Sequence, residues 1–249
     1  MAKLRNHKIL VEYIGTRYCG WQKQKNDPTI QGTIEEVLLN LYKEKIKVKG
    51  AGRTDAGVHA TGQVANFFAP DFIPPEKLFI ILNNNLPKDI RIKNIKYVDP
   101  QFDAQKNASS KIYRYQIYNR PYASPFMEPF CYCVKQKLNF KLMEESLKYF
   151  IGKKDFTSFC VKRSQKENNV RVVKMATLKK RGNLLIFKIE ANGFLHKMVR
   201  NIVGTLIEIG KGKLMPEDVN KIFNKRKREE AGPTSPAKGL FLEKVKYDV

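Results

Sequence analysis

Between residues 51 and 60 the chain reads Ala-Gly-Arg-Thr-Asp-Ala-Gly-Val-His-Ala. The carboxylate of Asp55 stands there two residues after the guanidinium of Arg53, and Gly52 and Gly57 flank it. A charged, positioned carboxylate can attack an electrophilic carbon or take up a proton. Arg53 can pair with it and hold it charged, and the two glycines admit backbone geometries and a close ligand approach that a Cβ would block. The same residues also suit a plain surface turn with an Arg-Asp pair. Spacing by itself does not choose between these readings.

Other chemistries lack the residues they need. The four cysteines, Cys19, Cys131, Cys133 and Cys160, contain no CxxC pair, and the three histidines are His7, His59 and His196, too few and too scattered for a zinc cage. Reduced thiols and a cytoplasmic location are expected. A hydrolase using Asp55 to activate water would need a second acid or a metal cluster, and no recognisable motif offers one. Lys and Arg number 47 against 24 Asp and Glu, a formal net charge of +23. The excess is spread along the whole chain, which suits a folded body that receives a polyanion, although Lys used as a general solubilising residue would give the same excess. Lys162, Arg163 and the run from Lys225 to Arg228 are candidate phosphate contacts on this reading, with a solvated surface as the alternative. The start is basic, but the apolar stretch behind it is broken at Glu12 without a cleavage pattern, and no run reaches the length of a membrane-spanning helix.

The hydrophobic period predicts which elements position Asp55. Lys8 to Ile14 reads as a strand, and Thr33 to Tyr42 as a helix with Ile34, Val37, Leu38 and Leu41 on one face and Thr33 with Glu36 as a capping box. Strands follow at Lys47 to Ala51 and Gln63 to Phe68, then a helix over Pro75 to Asn83 and a strand over Ile90 to Val98. The second half repeats the order: strand Lys111 to Tyr118, helix Lys141 to Ile151, strands Arg171 to Lys179 and Asn183 to Glu190, helix Leu195 to Ile209, strand Leu240 to Tyr247. A short helix after Pro216 and a Pro- and Gly-bearing loop precede that last strand. The expected fold is α+β, with two ferredoxin-like (RRM-like) β-α-β-β-α-β halves joined into one mostly antiparallel sheet. Helices would cover one face and leave the other open for a large ligand. The expected division is into residues 1–104, with the Asp55 loop, and residues 105–249.

The loop string, with Gly20-Trp21-Gln22-Lys23-Gln24 upstream, resembles the signature of tRNA pseudouridine synthases of the TruA type. The resemblance continues through Asn85-Leu86-Pro87, Phe102-Asp103-Ala104, Tyr113-Arg114-Tyr115, Asp155-Phe156-Thr157-Ser158-Phe159 and the run from Phe194 to Gly204, and so spans nearly the whole chain. It implies a pseudouridine synthase fold and an isomerase that converts uridine to pseudouridine at positions 38, 39 and 40 of the tRNA anticodon stem-loop. It implies no metal or organic cofactor, a homodimer, tRNA as the partner, and neither DNA nor a membrane.

The family's aspartate corresponds to Asp55 as nucleophile. Arg53 would orient it and occupy the space of a displaced base. Tyr113 corresponds to a tyrosine that stacks on the target uracil, and Arg200 to an arginine beside the aspartate. His59 and His196 are read as structural. A paired base must be flipped out before it can react, and phosphate contacts on the open sheet would offset that cost. A non-catalytic protein built from paired RRM-like units would account for the charge and the repeat, but it has no use for the Asp55 loop.

Overall fold

The computed structural model describes residues 3–161 and 168–248. It divides into two compact units, one made of 1–109 and 242–249, the other of 110–241. The candidate phosphate contacts Lys162 and Arg163 fall outside the described residues. Among the described residues no helix is long and apolar enough to cross a membrane.

The first unit runs β1 (Leu4–Tyr13), α1 (Ile30–Tyr42), β2 (Lys49–Gly50), β3 (His59–Pro70), α2 (Pro75–Asn85) and β4 (Ile90–Val98). Its strand order is β4-β1-β3, with β2 also on β3, and both central pairings are antiparallel. Along β1 the residues His7, Ile9, Val11 and Tyr13 are buried while Lys8, Leu10 and Glu12 are half-buried, the period-two pattern of a strand with one core face. Ile30, Ile34 and Leu38 of α1 are fully buried, four residues apart along one stripe of the helix.

The start of α1 differs from the expected Thr33. Thr29 is the N-cap: its backbone is extended and its side chain accepts from Gly32 N at 3.2 Å. Thr33 is already inside the helix, and its hydroxyl donates to Thr29 O. Ile30 explains the shift, because it needs the helical position to reach the core, and the earlier threonine can serve the first free amides. Replacing Thr29 by Ala should cost about 1 kcal/mol. The change is to be read as a lower urea midpoint at unchanged slope, and an unchanged midpoint would remove the capping role.

The string Phe102-Asp103-Ala104 has a structural use in this unit. Asn6 on β1 donates to the carbonyls of Asp99 and Phe102, while Asn66 on β3 donates to Asn6 Oδ1 and accepts from Ala104 N at 2.9 Å. Two buried amides thus satisfy the connection that leaves β4.

The second unit runs β5 (Ala108–Tyr118), β6 (Tyr132–Cys133), α3 (Phe140–Ser146), β7 (Gly152–Asp155), β8 (Val170–Arg181), β9 (Leu184–Ala191), α4 (Met198–Gly210) and α5 (Asp218–Lys225). The order β5-β9-β8-β7 is antiparallel throughout, and β6 adds a short parallel pairing to β5. The final strand β10 (Leu240–Tyr247) pairs with β3, and all but its first two residues belong to the first unit. The fold is mixed α+β with mostly antiparallel sheet, as the repeated period implied.

Two helices are shorter than their periodicity suggests. α3 ends at Ser146 and continues as a 3-10 turn over Leu147–Phe150. α4 begins at Met198 rather than Leu195, because Lys197 adopts a left-handed backbone, φ 59°, that breaks the helical path. His196 therefore stands outside the helix, and Arg200 lies in its first turn instead of one turn after His196.

Candidate active site

The loop that carries Asp55 joins β2 to β3 and is tied down along its backbone. At its entry Gln63 donates to Gly52 O at 2.8 Å. Thr54 turns inward; its hydroxyl shares a 2.8 Å hydrogen bond with Tyr13, and its carbonyl accepts from Trp21 N. Burial pushes the Tyr13 phenol well above its usual range, so it remains a neutral hydrogen-bonding group. Val58 N donates to Asp55 O, closing a four-residue turn with Gly57 third at φ 75°, a position that demands a residue without Cβ. Gly57 N donates to Tyr18 O.

The segment before α1 packs tightly behind this loop. A Cβ on Gly20 would meet Thr54 O at 2.3 Å, and one on Gly15 would meet Val58 O at 2.0 Å. Gly20 in the upstream string is thus a packing requirement of the Asp55 loop. His59 is buried and its Nδ1 accepts from Gly15 N at 3.1 Å, a structural use. Behind Tyr18, Asp89 is partly desolvated, which works against its charge, yet bonds from Arg17 and Tyr18 hold its carboxyl below the usual range. The backbone on both sides of Asp55 is therefore fixed by the scaffold.

The two side chains of the loop differ in setting. Asp55 is half-buried, whereas Arg53 is exposed and donates from Nε to Gln22 Oε1 at 3.2 Å. Among the described residues Arg53 forms no ion pair.

Tyr113 and Arg200 belong to the second unit. Tyr113, on β5 opposite Ile189, is 7% exposed and meets Phe194 edge to face at 4.9 Å. Arg200 is half-buried in the first turn of α4; its Nε donates to Ser235 O at 2.7 Å, and its own carbonyl accepts from Ser235 N. Tyr115, two residues from Tyr113 on the same face of β5, donates to Pro236 O at 2.8 Å. One stretch of main chain, Ser235–Pro236, thus holds both the arginine and the strand of the tyrosine.

That stretch is clamped to α4 by residues whose clamping role the sequence did not show. Arg228 donates from Nη2 to Asn201 Oδ1, Gly232 O and Thr234 Oγ1, and from Nη1 to Ala231 O. Thr234 donates to Asn201 Oδ1 at 2.6 Å, Gly232 N donates to Thr205 Oγ1, and the fully buried Asn201 donates to Phe159 O. Arg228, expected among the candidate phosphate contacts, is turned inward. Its neighbours Lys225 and Arg226 are paired with Glu230 and Asp155. A signal existed for Asn201, a polar residue on an otherwise apolar helix stripe. None existed for Arg228, which looks in sequence like the rest of a basic run.

The comparisons with known proteins bear on the whole chain. A family model described as tRNA pseudouridine synthase matches residues 9–105 and 147–248. The tRNA pseudouridine synthase A of Acetivibrio thermocellus is 44% identical over 98% of this chain and 100% of that protein. The enzymes of the same name from Clostridium acetobutylicum and Thermodesulfovibrio yellowstonii are each 43% identical, over 98% and 97% of this chain and 100% and 99% of their own. A chain in the crystal structure of a Cbf5-Nop10-Gar1 complex aligns at 11% identity and a TM-score of 0.32, over 84% of this chain and 55% of that one, too slight a likeness to carry any argument. With a model match over both units and relatives alike from end to end, the chain belongs to the tRNA pseudouridine synthases, isomerases that act on tRNA.

Proposed function

We propose that this enzyme isomerises uridine to pseudouridine at positions 38, 39 and 40 of the tRNA anticodon stem-loop, with Asp55 as nucleophile. The observation that carries the assignment of Asp55 is the loop itself. Backbone bonds at Gly52, Thr54, Asp55 and Gly57 hold it, while the carboxylate stays half-exposed. In the reaction the N1–C1′ bond breaks, the uracil turns over, and C5 bonds to C1′. The proton lost from C5 is balanced by one gained at N1, so the formula is unchanged. A carboxylate that stabilises the intermediate during this rotation is all the covalent chemistry the step demands.

Arg53, exposed and hydrogen-bonded to the neutral Gln22, can swing toward the space that a flipped nucleotide vacates. Tyr113 offers a ring for the target uracil, and Arg200 a guanidinium for the carboxylate. The enzyme works as a homodimer in the cytoplasm and needs neither metal nor organic cofactor.

Pseudouridine mapping on unmodified tRNA transcripts treated with the purified protein tests the reading. Transcripts carrying uridine at 38, 39 or 40 should each be converted there and nowhere else. Conversion confined to another arm of the tRNA would overturn the site assignment.

A further inference from the structure

A groove of about 990 Å³ opens on the first unit, and its lining includes Gly52 and Arg53 of the Asp55 loop. One wall is the segment that leads into that loop. There Lys45, Lys47 and Lys49 are exposed, while Ile46 and Val48 between them are 6% and 3% exposed. The alternation is that of an extended chain, in which every second residue lies about 6.6 Å further along the same edge. That distance is close to the step between successive phosphates of an RNA strand.

The charges on the groove are not all available. Lys23 is paired with the buried Glu35 at 3.0 Å, and Lys49 with Asp103. Among the described residues Lys45 and Lys47 have no carboxylate partner. Glu36 and Asp27 also line the groove. Among the described residues the basic side chains of the groove without a carboxylate partner are therefore Lys45, Lys47 and Arg53.

A chain of hydrogen bonds ties this wall to Arg53. Val48 N donates to Glu35 Oε1 at 3.1 Å, and the same oxygen accepts from Gln31 Nε2 at 2.8 Å. Gln31 Oε1 in turn accepts from Gln22 Nε2, and Gln22 Oε1 from Arg53. Glu35 and the two glutamines thus link the lysine wall to the Arg53 side chain of the Asp55 loop.

We infer that Lys45 and Lys47 form a phosphate-binding rail for the RNA strand that adjoins the target uridine. The inference rests on the proposed function and adds a binding surface to it. Ammonium groups on an extended edge recognise backbone charge and spacing and carry no base code. A rail of this kind serves several neighbouring uridines equally well.

The test is tRNA binding by the double variant Lys45→Ala/Lys47→Ala across a salt series, with Lys77→Ala/Lys88→Ala as a control that removes the same charge outside the groove. The slope of log Kd against log salt should fall by about 1.5 to 2 for the rail variant, with Kd weakened on the order of tenfold near physiological salt. A wild-type slope and Kd in the rail variant, or an equal loss in the control, would overturn the rail. The two readings fail separately. If the wild-type protein forms no pseudouridine and the slope still drops, the rail stands and the enzymatic assignment falls. If the wild type is active and the slope holds, the reverse follows.

Discussion

Asp55→Asn is expected to abolish the release of tritium from tRNA labelled at uridine C5 while leaving tRNA binding within about threefold of the wild type. The substitution keeps the shape of the side chain and removes its nucleophilic oxygen. A loss on the order of 10⁴-fold or more follows when a covalent step loses its nucleophile, equivalent to about 5.5 kcal/mol of transition-state stabilisation. Bonds to Gly52 O, Tyr18 O, Thr54 O and the Thr54 hydroxyl, which do not involve the carboxylate, should help the loop keep its form. Binding should persist because phosphate contacts supply most of the affinity. Retention of more than about 1% of the wild-type rate would end the nucleophile assignment, since no covalent catalyst survives loss of its attacking group so well. Loss of tRNA binding in parallel would instead point to a role in holding RNA.

Gly204→Ala is expected to be the most damaging small substitution in the second unit. A Cβ at this position would lie 1.7 Å from the carbonyl oxygen of Pro233 and 2.8 Å from its carbon. Both are backbone atoms, so no rotamer change relieves the clash, and either α4 or the Ala231–Pro236 stretch must move. That stretch is bonded to Asn201, Thr205, Arg228 and Arg200, so moving it strains several hydrogen bonds at once. A cost of about 3 kcal/mol is expected, which for a chain of this size lowers Tm by roughly 6–12 °C. On the role proposed for Arg200 the isomerase rate should fall as well, because Ser235 O accepts from its guanidinium. Gly193→Ala is the matched control: its Cβ would find nothing nearer than 3.5 Å, and Tm should hold. Equal melting temperatures for the two variants would show that the approach of α4 to Pro233 is looser than described.

Much of this architecture is legible in the sequence because burial imposes a period. The alternation in β1 and the four-residue stripe Ile30, Ile34, Leu38 in α1 are both consequences of one face meeting a core. The boundaries are less legible. Thr33 and Glu36 form a good capping signature, yet Thr29 caps, because the depth of Ile30 decides where the helix must start. The left-handed Lys197 that delays α4 has no local signal at all, Lys being a poor candidate for that conformation. Two-residue strands such as β2 and β6 are too short to carry a period.

The sequence by itself determined the family, the alternation of strand and helix, and the loop in which a reactive carboxylate could stand. Those are properties of residue type and spacing along the chain. Only the tertiary structure decided which polar residues face inward. Arg228, indistinguishable in sequence from Lys225 and Arg226, becomes the clamp of the Ser235 stretch because Asn201 and Thr234 meet it there. On the groove, Lys45 and Lys47 are set apart from Lys23 and Lys49 because Glu35 and Asp103 pair with the latter two. The same holds for Asp55. Its glycines and Arg53 allow chemistry on paper, but the hydroxyl of Tyr13, the carbonyl of Tyr18 and the close approach of Gly20 hold its loop in one form. Those partners lie at least thirty residues away in the chain, and a contact that long-range is created by folding alone.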